Sequence, residues 1–205
     1  MSDRIRFGFH GSKLVATQII HAAGRRDDDI ELSQYEVADP FRRLRGGDLD
    51  VMIVKFKVAE PDLACSSPLF TDARAAVMSA NHPLSHRDSV SIEELADFDA
   101  FKCPDKFPEY VWNEVVPKET PSGRPIHRRH EVTSTAAMMA LVAGTNAVHI
   151  SLLSLADIAP PAVRIVPIHD LPPAPVALAW CRDHRSAALR DFVAAAETAL
   201  ARRSE

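Results

Sequence analysis

The residues best suited by type to hold a small molecule fall in one four-residue stretch, His10-Gly11-Ser12-Lys13. It follows an apolar run at 5–9 that reads as a strand and precedes a helical pattern. Gly11 lets backbone approach a ligand closely, the Ser12 hydroxyl can donate a hydrogen bond, and the Lys13 ammonium can balance a carboxylate. A strand end that opens into a helix also exposes unpaired amides, and ligands of open α/β sheets bind at such ends. Helix capping alone explains Ser12 equally well. The same rule selects Val37, Ala38 and Asp39 after a second strand, where aliphatic Val37 and acidic Asp39 are less welcoming to an anion. Lys55 and Phe56 end a third strand, and a lysine stem beside an aromatic can close over a ligand or simply stand solvated.

Further along, Cys103 and Lys106, then Thr133 and Ser134, then His149 to Ser151 come at further strand ends. Thr133 or Ser134 is at least a helix cap, with anion binding as a second role. His149 stands inside an apolar run, which suits a satisfied, half-buried histidine as well as a ligand contact. Catalytic constellations are weak. Gly11-Ser12 is not part of a Gly-x-Ser-x-Gly elbow. His127 and His130 are three apart in a strand-like run, on opposite faces, which disfavours a shared metal. "RPIHRRH" is basic but short and has no aromatics to stack bases, and "GRRDDD" is a charged turn. No catalytic residue, metal or cofactor is expected.

The elements that must position these residues can be read from patterning. After the strand at 5–9, a helix carries Leu14, Val15, Ile19 and Ala22 or Ala23 on one side and stops at Gly24. A second strand covers 30–35. Asp39 followed by Pro40 is a helix start, a carboxylate cap and then a residue that needs no amide, opening a helix over 40–45. In "FRRLRGGDLDVMIV" Gly46 or Gly47 takes the left-handed conformation, and Val51 to Val54 do not alternate with polar residues. That run reads as a strand covered on both faces, in the middle of a parallel sheet. The rhythm then changes. Strands are expected at 73–79, 98–103, 126–132, 147–152, 163–168 and 176–180. Helices are expected at 91–96, where Ser91 and Glu94 have capping-box spacing, at 109–116, after Thr133 or Ser134 up to Gly144, and after Ser186. "HDLPPAP" is the most linker-like segment. The pattern gives an α/β fold of two Rossmann-like lobes, 1–72 with 171–205 and 73–170, joined by a two-segment hinge near 70–73 and 170–175.

Bulk composition narrows the function classes. The chain has 205 residues, 46% hydrophobic and 25% charged, with a formal charge of −4, so it carries no electrostatic footprint for nucleic acid or an anionic membrane. No apolar stretch reaches membrane-spanning length and the amino terminus has no secretory apolar region, so a cytoplasmic location is expected. Cys65, Cys103 and Cys181 are widely spaced without a CxxC, and buried or half-buried free thiols are expected.

Four elements together resemble a known family. "LRGGDLDVMIV" is similar to the Leu-x-x-Gly-x-Leu-Asp-aliphatic element of the effector-binding domain of LysR-type transcriptional regulators. "NHPLSHRDSVSIEELADFDAF" resembles that family's His-Pro-Leu loop, short helix and strand. "TSTAAMMALVAGTNAVHISL" resembles its next helix, glycine stop and strand, and "LAWCRDHRSAALRDFVAAA" its last strand and helix. The resemblance runs in order from about Ile5 to Ala196. It implies a fold like type 2 periplasmic binding proteins, with a small-molecule effector held between two lobes and hinge-coupled control of transcription. It also implies effector contacts in the loops after the first two strands. Where the family typically has Gly-x-Gly-x-x-x-x-Pro after its middle-lobe helix, this chain has Gly144, Asn146 and Ser151; asparagine tolerates the left-handed conformation, so the turn is compatible with Asn146.

The expectation is therefore a non-enzymatic domain that senses a small, anionic metabolite. The resemblance further implies an antiparallel homodimer, with Thr17, Ile20 and His21 of the first helix as the candidate surface. DNA would be met only through a winged helix-turn-helix, which the residues here do not contain. Two rivals stand beside this reading. One is a stand-alone binding module that modulates a partner regulator by mixed dimerisation. The other is an enzyme on the same fold, which would need a clustered acid and base.

Overall fold

A computed structural model describes residues 4–184 and 186–201. Its described residues divide into two compact α/β units. Unit 1 takes in the chain up to Tyr35, Pro40–Thr71 and the chain from Pro175 onward; unit 2 is Glu36–Asp39 and Asp72–Ala174.

Unit 1 begins with β1 (Ile5–Phe9), α1 (Lys13–Ala22), β2 (Ile30–Gln34), α2 (Arg42–Arg45) and β3 (Val51–Lys55). β1 lies between β2 and β3, parallel to both. α1 ends as its glycine requires: Ala23 is the C-cap, Gly24 is left-handed at φ +69°, and the Arg25 amide reaches back to the Ile20 carbonyl at 3.1 Å. Two later strands, β4 (Leu63–Cys65) and β5 (Phe70–Asp72), were not expected; both pair with β11 (Ala174–Cys181), which itself runs antiparallel to β3. The sheet order is β2-β1-β3-β11-β4, so β3 is central, but the sheet is mixed rather than parallel. The apolar run at β3 is explained all the same, because helices and loops cover both its faces. One cluster packs Phe7, Val51, Ile53 and Phe192, the last on α6 (Ala187–Ala201); a second packs Phe41, Leu44, Met52 and Val54. Phe7 and Phe192 meet edge to face at 5.8 Å.

Several local expectations need correction. The helix over 40–45 is only Arg42–Arg45, and Asp39 does not cap it; Phe41 is the N-cap without a side-chain bond. The left-handed conformation expected at Gly46 or Gly47 is found, at Gly47 (φ +74°). On α1 the core face is Val15, Ala16, Ile19, Ile20 and Ala23. Leu14 is 58% exposed, whereas Ile20 is fully buried and cannot belong to an exposed surface. Of the thiols, Cys65 is exposed rather than buried or half-buried.

Unit 2 contains β6 (Arg74–Ser79), α3 (Ile92–Leu95), β7 (Ala100–Phe101), α4 (Glu109–Val115), β8 (Arg128–His130), α5 (Thr135–Ala143), β9 (His149–Leu152) and β10 (Val163–Pro167). β6 is the centre of an antiparallel β10-β6-β9 sheet, and β7 pairs in parallel with β8. The Ser91–Glu94 capping box is present. β7 and β8 are much shorter than the apolar patterning suggests, and their register shifts between the Ala100–Arg128 and Phe101–His130 pairs. After α5 no left-handed residue is needed: Asn146 is not among the described residues with positive φ. The Thr145 hydroxyl donates to the Leu141 carbonyl at 2.8 Å and accepts from the Ala147 amide, closing the turn with a side chain instead.

Candidate effector-binding loops

In unit 1, three neighbouring strands end at one sheet edge. β1 runs out at Phe9 opposite Gln34 of β2, and the Tyr35 amide donates the last rung to the Phe9 carbonyl at 2.9 Å. His10, Tyr35, and the pair Lys55 and Phe56 therefore lie at or just past the carboxyl ends of β1, β2 and β3. Gly11 is left-handed at φ +75°, which turns the chain into α1 at no steric cost. Ser12 is 1% exposed and accepts from the Val15 amide at 3.4 Å as the N-cap. Lys13, the first residue of α1, is exposed. Lys55 is half-buried. Phe56 is buried and has φ +68°, the left-handed region in which a bulky residue is strained; its amide donates to the Pro175 carbonyl at 3.0 Å.

Lys13, Lys55 and the amino end of a ten-residue helix lie at this edge, in a chain of net charge −4. His10 adds no full charge. Burial pushes its imidazole below the ordinary value, the bond to the Tyr35 backbone works the other way, and the nearby Lys55 lowers it further.

In unit 2, Val37 lies in a half-buried turn and the Lys106 amide donates to the next carbonyl, that of Ala38, at 3.1 Å. The Lys106 ammonium lies 3.3 Å from the Asp39 carboxylate. A ligand anion would share that ammonium with Asp39. The Cys103 thiol donates to the carbonyls of Pro104 and Phe107, and burial raises its pKa, so it serves the turn as a protonated donor. Ser134, not Thr133, is the cap of α5, accepting from the Ala137 amide at 3.1 Å; both residues are exposed. His149 is 6% exposed, stacked on Trp112 and edge-on to Phe101, inside an aromatic cluster rather than on a loop. Among the described residues no group of His, Cys, Asp and Glu is arranged to hold a metal ion.

Sequence reasoning gave Tyr35 no part in this edge. Its place follows from the β1–β2 register alone, since a residue one past Gln34 must face a residue one past Phe9.

Known proteins share this arrangement of elements. The sequence profile described as the LysR substrate binding domain matches residues 2–201. No curated protein sequence matches the chain. Among solved structures, the effector-binding domain of QuiR in complex with shikimate superposes with a TM-score of 0.73 at 20% identity, covering 98% of each chain. The BenM effector-binding domain with its effector benzoate gives 0.68 at 20% identity, over 98% of this chain and 93% of that one. CbnR, a LysR family transcriptional regulator, gives 0.75 at 13% identity, over 97% of this chain and 70% of that one.

Proposed function

From a chain that belongs to the LysR substrate binding domain family, we propose an effector sensor for transcription control that binds a small anionic metabolite and leaves its bonds intact. The observation that carries the anionic class is the edge of unit 1. A left-handed Gly11, a capped helix start, Lys13 and Lys55 stand together at the ends of parallel strands. Backbone amides there point at a ligand while the ammonium groups supply charge. Within unit 2, taken by itself, the proposed contacts are Val37, Cys103, Lys106, Thr133 and Ser134, and His149 is proposed as a packed support against Trp112 and Phe101. The half-buried Cys103 and Cys181 thiols have pKa values raised by burial, which suits binding better than nucleophilic chemistry.

Control of transcription requires the effector to bind one conformation better than another, since equal affinity shifts nothing. The family also suggests a homodimer, and the exposed side of α1 with Leu14, Gln18 and His21 is the proposed surface. No described helix is long and apolar enough to cross a membrane; a cytoplasmic location is part of the proposal.

A thermal-shift screen of carboxylates, opened with benzoate and shikimate, should find a stabilising compound. Calorimetry with that compound should then show the Ser12→Ala/Lys13→Ala variant weakened about tenfold or more, the worth of one or two charge-assisted hydrogen bonds. Equal affinity in the variant would remove this edge from the site.

A further inference from the structure

The loop that opens α1 is short and turns on a glycine, so something must hold it. The β1–β2 ladder ends with the Tyr35 amide on the Phe9 carbonyl. At this point the His10 ring takes over: Nδ1 lies 3.2 Å from the Tyr35 carbonyl, and the two rings lean together at 5.5 Å and 33°. Tyr35 is itself held on the far side, where its hydroxyl donates to the Ile53 carbonyl of β3 at 3.0 Å. The exits of β1 and β2 and the middle of β3 are thus joined in series through His10 and Tyr35.

A carbonyl only accepts, so Nδ1 must carry the proton. Resting on the effector reading above, we propose that His10 is a positioning residue for the effector loop, its Nδ1–H bolting the exit of β1 to Tyr35 so that Gly11, Ser12 and Lys13 are set before the effector arrives. Without that bond the left-handed Gly11 becomes a swivel, and ordering the loop becomes a cost of binding. Burial and Lys55 both disfavour a second proton on the ring, which keeps it in the neutral tautomer.

The test is independent of any effector. Asparagine places an amide N–H at nearly the position of the Nδ1–H, whereas phenylalanine keeps the ring against Tyr35 and removes the donor. Amide hydrogen exchange is followed by NMR in the full chain at Tyr35, which bonds Phe9, and at Val15, which bonds the Ser12 cap. His10→Phe should speed exchange at both amides by about tenfold or more, and His10→Asn should stay within about threefold of the unsubstituted protein. Nitrogen shifts of His10 in the unsubstituted protein should show Nδ1 protonated and Nε2 not; this reading stands even if the phenylalanine variant fails to fold. The opposite tautomer, unchanged exchange in His10→Phe, or an asparagine variant no better than phenylalanine would each overturn the proposal. Titration with benzoate separates the two levels of argument. If exchange responds as stated but Ser12→Ala/Lys13→Ala leaves the response to benzoate and shikimate unchanged, the positioning stands and the effector reading of this edge falls.

Discussion

Asp39 and Asp170 show how much a carboxylate's role depends on what lies near it in space. Asp39 stands just before Pro40, yet its carboxylate meets Lys106. Asp170 lies 78 positions from Ile92, yet it accepts that amide at 2.9 Å and the Ser91 hydroxyl as well, supporting the start of α3 beside the capping box. Histidines follow the same logic. His10 and His82 are both held below their ordinary pKa, in each case first by burial, with the nearby backbone of Tyr35 and of Asn146 partly offsetting it. Their unfolded forms take up a proton near pH 6.5 that the folded forms resist. Stability should therefore fall as pH drops from about 7.5 to about 5.5, since the unfolded chain binds more protons across that window. Urea denaturation at both pH values should show a smaller loss in His10→Asn. Asp50 adds loss at lower pH: burial alone would raise its carboxyl, but Arg6 outweighs that and holds it below the usual range.

At the scale of elements, α1 carries two faces with different work to do. Ile20 is fully buried against the core of unit 1, and Leu14 is open on the other side. Ile20→Ala should cost about 2–5 kcal/mol by chemical denaturation, the usual range for a large-to-small change in a packed core. Leu14→Glu should stay within about 0.5 kcal/mol in the same experiment, as exposed substitutions do. If α1 is the dimer surface, sedimentation should show Leu14→Glu shifted toward monomer while Ile20→Ala keeps the parent's association. Dimers unaffected by Leu14→Glu would move the interface elsewhere. Phe56 belongs to this scale too. A strained left-handed backbone costs about 1–3 kcal/mol and persists only where neighbours over-determine it. Here the strand β3 on one side and the amide bond to Pro175 on the other supply that constraint.

For the whole molecule, connectivity decides which parts can stand alone. The chain leaves unit 1, builds most of unit 2, and returns at Pro175. The returning strand β11 lies between β3 and β4, and α6 brings Phe192 onto Phe7. A chain ended after residue 173 lacks both. It should show no amide protection in β1 and β3 by hydrogen exchange, although every residue of those strands is present. Protected β1 and β3 amides in that truncated chain would mean unit 1 folds from its first half.

Short-range features were legible in the residues themselves. The bounds of β1 and α1, the stop at Gly24, the box at Ser91 and Glu94, and the caps at Ser134 and Ser186 depend on neighbours within about four positions, where backbone sterics and capping act. The turn at Gly11 and the cap at Ser12 were legible for the same reason. What required the folded chain was every relation between distant segments. The three-residue strands β4 and β5 exist only because β11 returns to pair with them. The facing of Ile20, the partner of Asp39, the left-handed Phe56 and the His10–Tyr35 bond all depend on strand register and on which surfaces meet. A residue's own type and its near neighbours set its local conformation; its partners are chosen by packing across tens of residues, and sequence spacing carries no record of that distance in space.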